Sequence, residues 1–401
     1  MRGKRPFRIA LLCADVSRNA FGRAYVMARA LAASYDVHVL GPQFGASVWP
    51  PMKGELETYG IRVTAIPARP YPAFLAAARR LWRAIDADIL YALKPYPTSF
   101  GIGLLFRAIH HTPLLLDIDD WELGNYHALG RSQLAWSMLR GALSPNNYVW
   151  LRLLYGMVSQ ADGISVASTW LRQRFGGIVV PHARDTDAIN PTLINGQIVR
   201  ETWGLEGRLV MFLGTLRPHK GIEDFIAAMR QLARQEVQGV IIGADPRDPY
   251  SQYLRKIAGE RISLLPLVPF RQMPAFLAAA EIVVVPQRQT PFSQAQVPAK
   301  LFDAMAMGRP IVSTAVSDIP EILADCGLVV PPGDVAALSA AIAYLLDHPF
   351  EANRLGNAAR RKCVEEFSLS AASRLLEETI EQVISPNGSL RPDETHVSSN
   401  I

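Results

Sequence analysis

RLVMFLGTLRPHKGIEDFIAAMR, residues 208–230, decides the fold. Its opening is a short, nearly continuous apolar run, the pattern of a strand buried on both faces. Gly214 ends that run and Gly221 opens the next element. Ile222, Phe225, Ile226 and Met229 then recur at helical spacing, so a helix is expected over 222–234. Strand, glycine loop and helix in this order make the repeating unit of a parallel sheet with helices on both faces.

Downstream the unit repeats. Strands are expected at 237–245, 261–268, 281–287, 310–316 and 327–334, with a helical turn at 274–280 and helices at 298–307 and 335–346. Upstream lies a separate series. Its strands fall at 7–14, 36–42, 61–67, 87–93, 113–118, 163–168 and 177–182, with helices at 23–34 and 74–85. Each series is domain-sized. DTDAINPTLINGQ (185–197), rich in Asn, Pro and Thr, marks the boundary. The expected domains are 1–188 and 189–368. A last helix within 369–385 is expected to pack back on the first domain, and the polar tail 386–401 to be disordered. Two doubly wound α/β domains imply a cleft lined by the carboxyl ends of their strands.

Composition narrows the class. Of 401 residues, 49% are hydrophobic and 19% charged, which excludes a disordered chain. Cys13, Cys326 and Cys363 are too far apart in sequence for a disulfide framework or a metal cluster, as expected in a reducing compartment. MRGKRPFRIALLCADV resembles a leader, but its apolar run from Ile9 stops at Asp15. No run reaches the ~18–20 apolar residues of a membrane span. The expectation is a cytoplasmic protein, peripheral at most. The net charge of +5 is unevenly shared: residues 1–190 carry 21 Lys/Arg against 13 Asp/Glu, and the remainder 20 against 23. An acidic partner is therefore expected for the first half.

Chemistry should sit at strand ends. In GTLRPHKG (214–221), Gly214 permits close backbone approach, and Arg217 and Lys220 flank a helix start. Two cations beside a helix N-terminus make an anion site fit for a diphosphate; the alternative is a solvated basic turn. In FSQAQVPAKLFDAMAMGRP (292–310), Pro298 opens a helix and places Lys300 in its first turn. The helix dipole disfavours a cation there, unless an anionic ligand shares the place. Asp303, three residues on, could accept from ribose hydroxyls or simply pair with Lys300.

These segments together resemble the carboxyl half of the retaining glycosyltransferases of family 4, which have the GT-B fold. The matching pieces are G-x-L-x-x-x-K-G, VIIGAD, LLPLVP, EIVVVPQ and KLFDAMAMGRPIVST, in order over about 150 residues. PHARDTDAINP is similar to the family's inter-domain P-N-G-V-D segment, with His182, Ala183 and Arg184 in place of Asn-Gly-Val. The resemblance implies that Arg217 and Lys220 hold the donor diphosphate and that Asp303 binds ribose. It places Gly243 and Asp245 in the loop after the second strand of the nucleotide domain, and Leu267 and Val268 where backbone reads the base. One departure stands out. The family's Glu-x7-Glu lacks its first member, because Ala295 stands eight residues before Asp303. The P-x-K-L-F-D form looks like a subgroup in which Lys300, beside Leu301, supplements phosphate binding. Sugar recognition then falls to Ser293, Gln294, Gln296 and backbone amides.

The first half supplies acceptor candidates. LLLDIDDWELG (114–124) puts Asp117, Asp119, Asp120 and Glu122 beyond a strand. Asp117-x-Asp119 also reads as a metal-holding D-x-D, which the doubled domain pattern argues against. Asp119 or Asp120 could take the acceptor hydroxyl's proton, or cap a helix. Asn19, Arg23 and His127 are further acceptor candidates. Residues 58–85 and 123–161 hold Arg and aromatic residues without any acid, which suits an anionic membrane surface or, alternatively, a core-packed helical insertion. No nucleic-acid module is present.

The reading is a retaining, metal-independent transferase with catalytic Arg217, Lys220, Asp119 and Asp120. It uses a nucleotide-diphosphate sugar, no cofactor, and a saccharide or lipid-linked saccharide acceptor. A nucleotide-sugar epimerase and a non-catalytic membrane-associated binding partner are the alternatives.

Overall fold

The computed structural model describes residues 7–127 and 129–384. The tail expected to be disordered lies outside the described residues. The chain divides into two compact units: one holds the chain up to Pro181 and again from Ala372, the other is His182–Ala371.

The first unit is built on strands β1 (Arg8–Leu12), β2 (Asp36–Gln43), β3 (Arg62–Pro67), β4 (Ile89–Leu93), β5 (Leu114–Ile118), β6 (Gly163–Val166) and β7 (Ile178–Val179). Their order is β3-β2-β1-β4-β5-β6-β7, all pairs parallel. The second unit has β8 (Arg208–Leu213), β9 (Val237–Ala244), β10 (Ile262–Pro266), β11 (Ile282–Val285), β12 (Ile311–Thr314) and β13 (Leu328–Val330). Its order is β10-β9-β8-β11-β12-β13, again parallel. Both sheets reverse strand order beside their first strand, which is where ligands bind in open parallel sheets.

The opening stretch shows why. Leu209, Met211 and Leu213 of β8 enter one buried cluster with Phe302 and Leu301. Val210 and Phe212 enter another with Ile222 and Phe225. Alternate side chains thus go to opposite faces, and both faces are covered. Burying Phe212 and Phe225 completely removes them from water at roughly 25 cal/mol per Å² of apolar surface.

Three differences from the sequence reading have physical causes. The division falls at Pro181, before the expected 188. Arg184 N donates to Phe367 O at 2.8 Å, and Leu369 N to Arg184 O at 2.9 Å. Arg360 adds bonds to Thr186 O (2.6 Å) and Ile189 O (2.8 Å), so the segment after Pro181 is bound into the second unit. Helix Pro349–Glu366 escaped the reading because its buried stripe is Ala352, Leu355, Gly356, Ala359 and Cys363, mostly small residues with weak hydrophobic signal. Helix Ile102–His110 also escaped; it follows the π-helical turn Pro97–Gly101, which interrupts the helical period. The last helix, Leu369–Ile384, joins the first unit: Ser34 Oγ donates to Glu377 Oε1 at 2.6 Å.

Candidate functional site

The second unit gathers its candidates where β8, β9 and β11 end. Gly214 has φ +117° and Gly243 φ +119°, a region that L side chains rarely adopt. A Cβ on Gly214 would come 2.9 Å from Lys300 Nζ, and one on Gly243 2.3 Å from Gly214 O. Gly214 therefore leaves room for the Lys300 side chain, and Gly243 for the backbone of Gly214.

Lys300 lies in the first turn of helix Ala299–Ala306 and is only 9% exposed. Its Nζ is buried with no hydrogen-bond partner. The nearest described contacts are the Phe212 ring, 4.4 Å from its centroid, and Lys220. Burial, then Lys220, holds the Lys300 ammonium well below the usual lysine range. Lys220 Nζ donates to Thr215 O and Thr215 Oγ1, both at 2.7 Å. Arg217 is exposed at the loop tip and caps Leu216 O at 3.0 Å. Two lysines side by side and a loop arginine form a cationic corner without a carboxylate on Lys300.

The expected carboxylate is engaged elsewhere. Asp303 forms a two-point ion pair with Arg184, through Nε to Oδ1 and through Nη2 to Oδ2 at 3.1 Å, and both residues are buried. Arg184 also donates to Ala183 O and Ala299 O at 2.7 Å each. The Lys300–Asp303 pairing weighed from sequence is therefore not formed. Arg184, which stands in the P-N-G-V-D-like segment, takes the carboxylate.

Ser293 is corrected as a sugar-reading hydroxyl. It is fully buried; its Oγ donates to Arg288 O at 2.6 Å and accepts from Thr290 N at 2.8 Å. It shapes the loop after β11. Buried Gln287 does the same, with Nε2 donating to Ser293 O (3.3 Å) and Gln296 O (3.2 Å). Leu301 is a core residue, and its N–H is taken by Pro298 O at 2.9 Å. Arg288 fastens this loop to the 214–221 loop, pairing with Asp224 (2.8 and 2.6 Å) while its N–H donates to His219 O at 2.9 Å. Sequence reasoning missed Gln287 and Arg288; the polar residues directly after the apolar run of β11 were the available signal. Asp245 is exposed and accepts from Arg247 N at 2.9 Å. Leu267 is exposed and Val268 buried, so only the former offers its side chain to solvent.

The first unit has an opposite arrangement. Lys94 follows β4 at φ +68° and is buried. Its Nζ lies 2.7 Å from Asp119 Oδ1 and 2.8 Å from Asp120 Oδ2, and it also pairs with Glu122. The contact to Asp119 Oδ1 lacks hydrogen-bond alignment. Tyr155 Oη closes the cluster, donating to Glu122 Oε2 and Asp120 O at 3.1 Å each. Asp119, Asp120 and Glu122 are close enough together to hold a metal ion, but the Lys94 ammonium fills their centre. Burial pushes the Asp119 carboxyl up to about 6 and that of Glu122 to about 7, with Lys94 opposing. Lys94 carried no motif and was missed.

Arg23 is corrected as an acceptor ligand. Its guanidinium is buried, bonded to Asp117 (Nε–Oδ2 2.9 Å, Nη2–Oδ1 2.7 Å), Val180 O (2.8 Å) and Pro181 O (3.1 Å). That pairing also withdraws Asp117 from the D-x-D reading. Asn19 is exposed at the start of helix Ala20–Leu31. His127 is exposed and stacks on Trp121, ring centroids 4.9 Å apart.

Comparison with known proteins fits both units. Residues 23–186 match the model of the glycosyl transferase 4-like domain, and residues 207–348 match glycosyl transferases group 1. An alpha-D-kanosaminyltransferase of Streptomyces kanamyceticus is 29% identical over 181 residues, 43% of this chain and 46% of that protein. A GDP-mannose-dependent alpha-(1-6)-phosphatidylinositol monomannoside mannosyltransferase of Mycolicibacterium smegmatis is 27% identical over 253 residues, 59% of this chain and 64% of that protein. The match thus spans about half to two thirds of these relatives' length. Among solved structures, Anabaena Alr3699/HepE in complex with UDP-glucose superposes with a TM-score of 0.73 at 16% identity, covering 94% of this chain and 99% of that one. Sucrose-phosphate synthase from Thermosynechococcus elongatus gives a TM-score of 0.72 at 19% identity with the same coverage. At such identities the likeness is one of fold, and the fold is GT-B.

Proposed function

We propose that the chain is a glycosyltransferase of the family-4 type that moves a sugar from a nucleotide-diphosphate donor to a saccharide or lipid-linked saccharide acceptor, a reading that its two matched regions support. The observation that carries this reading is Lys300. A buried ammonium without a partner, next to Lys220 and Gly214, is costly in the free protein. A diphosphate supplies the missing charge.

The second unit binds the donor. Lys300, Lys220 and Arg217 stabilise the charge that grows on the departing diphosphate, an electrostatic contribution that is the largest single one in this class of reaction. In this reading these three cations offset that charge without a metal ion. The bond from the anomeric carbon to the diphosphate breaks, and the bond to the acceptor oxygen forms on the same face with retention. The first unit binds the acceptor. Asp119, held near 6 by burial, is matched to take the hydroxyl proton near neutral pH. Lys94 keeps that carboxylate in place.

The test is hydrolysis and transfer with a panel of nucleotide sugars, for wild type and Lys220→Ala. At least a roughly tenfold fall in kcat/KM is expected, ~1.4 kcal/mol of transition-state stabilisation. Unchanged transfer by Lys220→Ala sinks the diphosphate assignment.

A further inference from the structure

Four helices of the first unit, Phe74–Ala84, Ile102–His110, Arg131–Arg140 and Tyr148–Tyr155, carry seven arginines and not one Asp or Glu. They occupy the connections that follow β3, β4 and β5. Right-handed crossovers put those three connections on one face of the sheet. Contacts agree: Trp82 packs on Phe106 (centroids 5.1 Å), Tyr71 on Trp150 (6.5 Å), and Tyr71 N donates to Leu143 O at 2.8 Å.

Three of these helices keep an inner apolar side, and all four leave apolar residues exposed. In Ile102–His110, Ile102, Gly103 and Phe106 face the sheet, while Leu105 and Ile109 are 62% and 65% exposed. In Tyr148–Tyr155, Leu151 and Leu154 are buried, while Trp150 and Leu153 are exposed. Arg131–Arg140 buries none of its residues and leaves Trp136 and Leu139 in water. Between the first two helices lies a groove of about 550 Å³, lined by Trp82, Leu105 and Ile109, with Arg79 and Arg83 among its walls. Of the nearest acids in sequence, one offsets an arginine of this set: Asp162 pairs with Arg107, while Asp86 and Asp88 pair with Arg8.

An apolar surface this wide is unusual on a protein that meets only water. A protein partner would be expected to bring carboxylates, and this face would then carry some acids to fix their register. A surface with cations of one kind, aromatic rings and aliphatic side chains has the chemistry of the bilayer interface. There, arginine meets lipid phosphate while Trp and Leu enter the acyl boundary. We propose that this four-helix face docks the first unit on an anionic phospholipid bilayer. It is an interaction surface additional to the donor site, and neither depends on the other.

The test uses the full chain in co-sedimentation with vesicles of phosphatidylcholine mixed with phosphatidylglycerol, and with vesicles of phosphatidylcholine alone. Wild type is expected to pellet with the mixed vesicles and to be released as salt rises. The double variant Arg79→Glu/Arg83→Glu is expected to bind roughly tenfold or more weakly. Leu105→Gln/Ile109→Gln is expected to lose binding that salt does not release. Both should retain donor hydrolysis and transfer to a water-soluble acceptor, which reports their folding and separates this proposal from the donor-site reading. Equal pelleting with the two vesicle types, or wild-type pelleting by the Arg variant, overturns the proposal. So does a lipid-free dimer in analytical ultracentrifugation that the same substitutions dissolve, because a second copy would then cover the face.

Discussion

Lys94 and Lys300 make an instructive pair. Each is buried beyond the fourth strand of its sheet, β4 in one unit and β11 in the other, beside the reversal of strand order. Lys94 touches three carboxylates, and Lys300 has none. Burial opposes the charge on both. For Lys94 the carboxylates overcome it and lift the ammonium well above its usual range; for Lys300 the neighbouring Lys220 adds to it and drives the ammonium down. The two lysines thus have opposite settings: one is an internal counter-ion, the other is buried with no carboxylate on its ammonium.

The largest effect should come from breaking the satisfied site. Lys94→Met leaves the buried carboxylates of Asp119 and Glu122 and the half-buried one of Asp120 uncompensated, and is expected to cost about 3–5 kcal/mol in urea unfolding. The loss should shrink at low pH. Asp119 and Glu122 bind protons more tightly folded than unfolded, so their contribution is complete below about pH 4 and is lost as pH rises through about 6 and 7. A cost that grew on acidification would contradict this assignment.

Lys300→Met should act in the opposite sense on stability. Transfer is expected to fall by roughly a hundredfold, ~2.7 kcal/mol, while the thermal midpoint rises because a buried polar group without a hydrogen-bond partner is gone. If Lys300→Met unfolds more easily than wild type, Lys300 has a structural partner and the contrast with Lys94 collapses.

Asp303→Asn sharpens the picture. Weakening the Arg184 pair should cost about 1–3 kcal/mol of stability and leave donor KM little changed. A donor KM raised with stability intact would return Asp303 to ribose binding, as the family resemblance implies.

The smallest effect is a proton. A diphosphate beside Lys300 raises its affinity for a proton, so donor binding should take one up, and affinity should fall as pH rises through the free-state value. Calorimetry in buffers of different ionisation enthalpy reads this directly, and Lys300→Met should abolish it.

The architecture was legible because its signals are local: continuous apolar runs such as LVMFL and VIIGA, with glycines where backbone crosses backbone. The anion site proposed at Lys220 and Lys300 rests on a related local signal, the loop-to-helix junction. The ion pairs were not legible. Arg23 with Asp117 spans 94 positions and Arg184 with Asp303 spans 119, so no window of sequence contains both partners. Arg23 looked like a free ligand for the same reason. Lys94 escaped because its three partners were read as candidates for a proton or a metal, and a tight turn at positive φ hid the lysine that neutralises them.

The return of helix Leu369–Ile384 to the first unit has a consequence for synthesis. Chains emerge from the ribosome amino end first, and domains commonly fold as they appear. Here the opening domain waits for its closing piece: the side of it that holds Ser34 and Gly163 stays uncovered until the entire second unit has been made. The second unit is an insertion within the first, and the first is completed only after the second has been made.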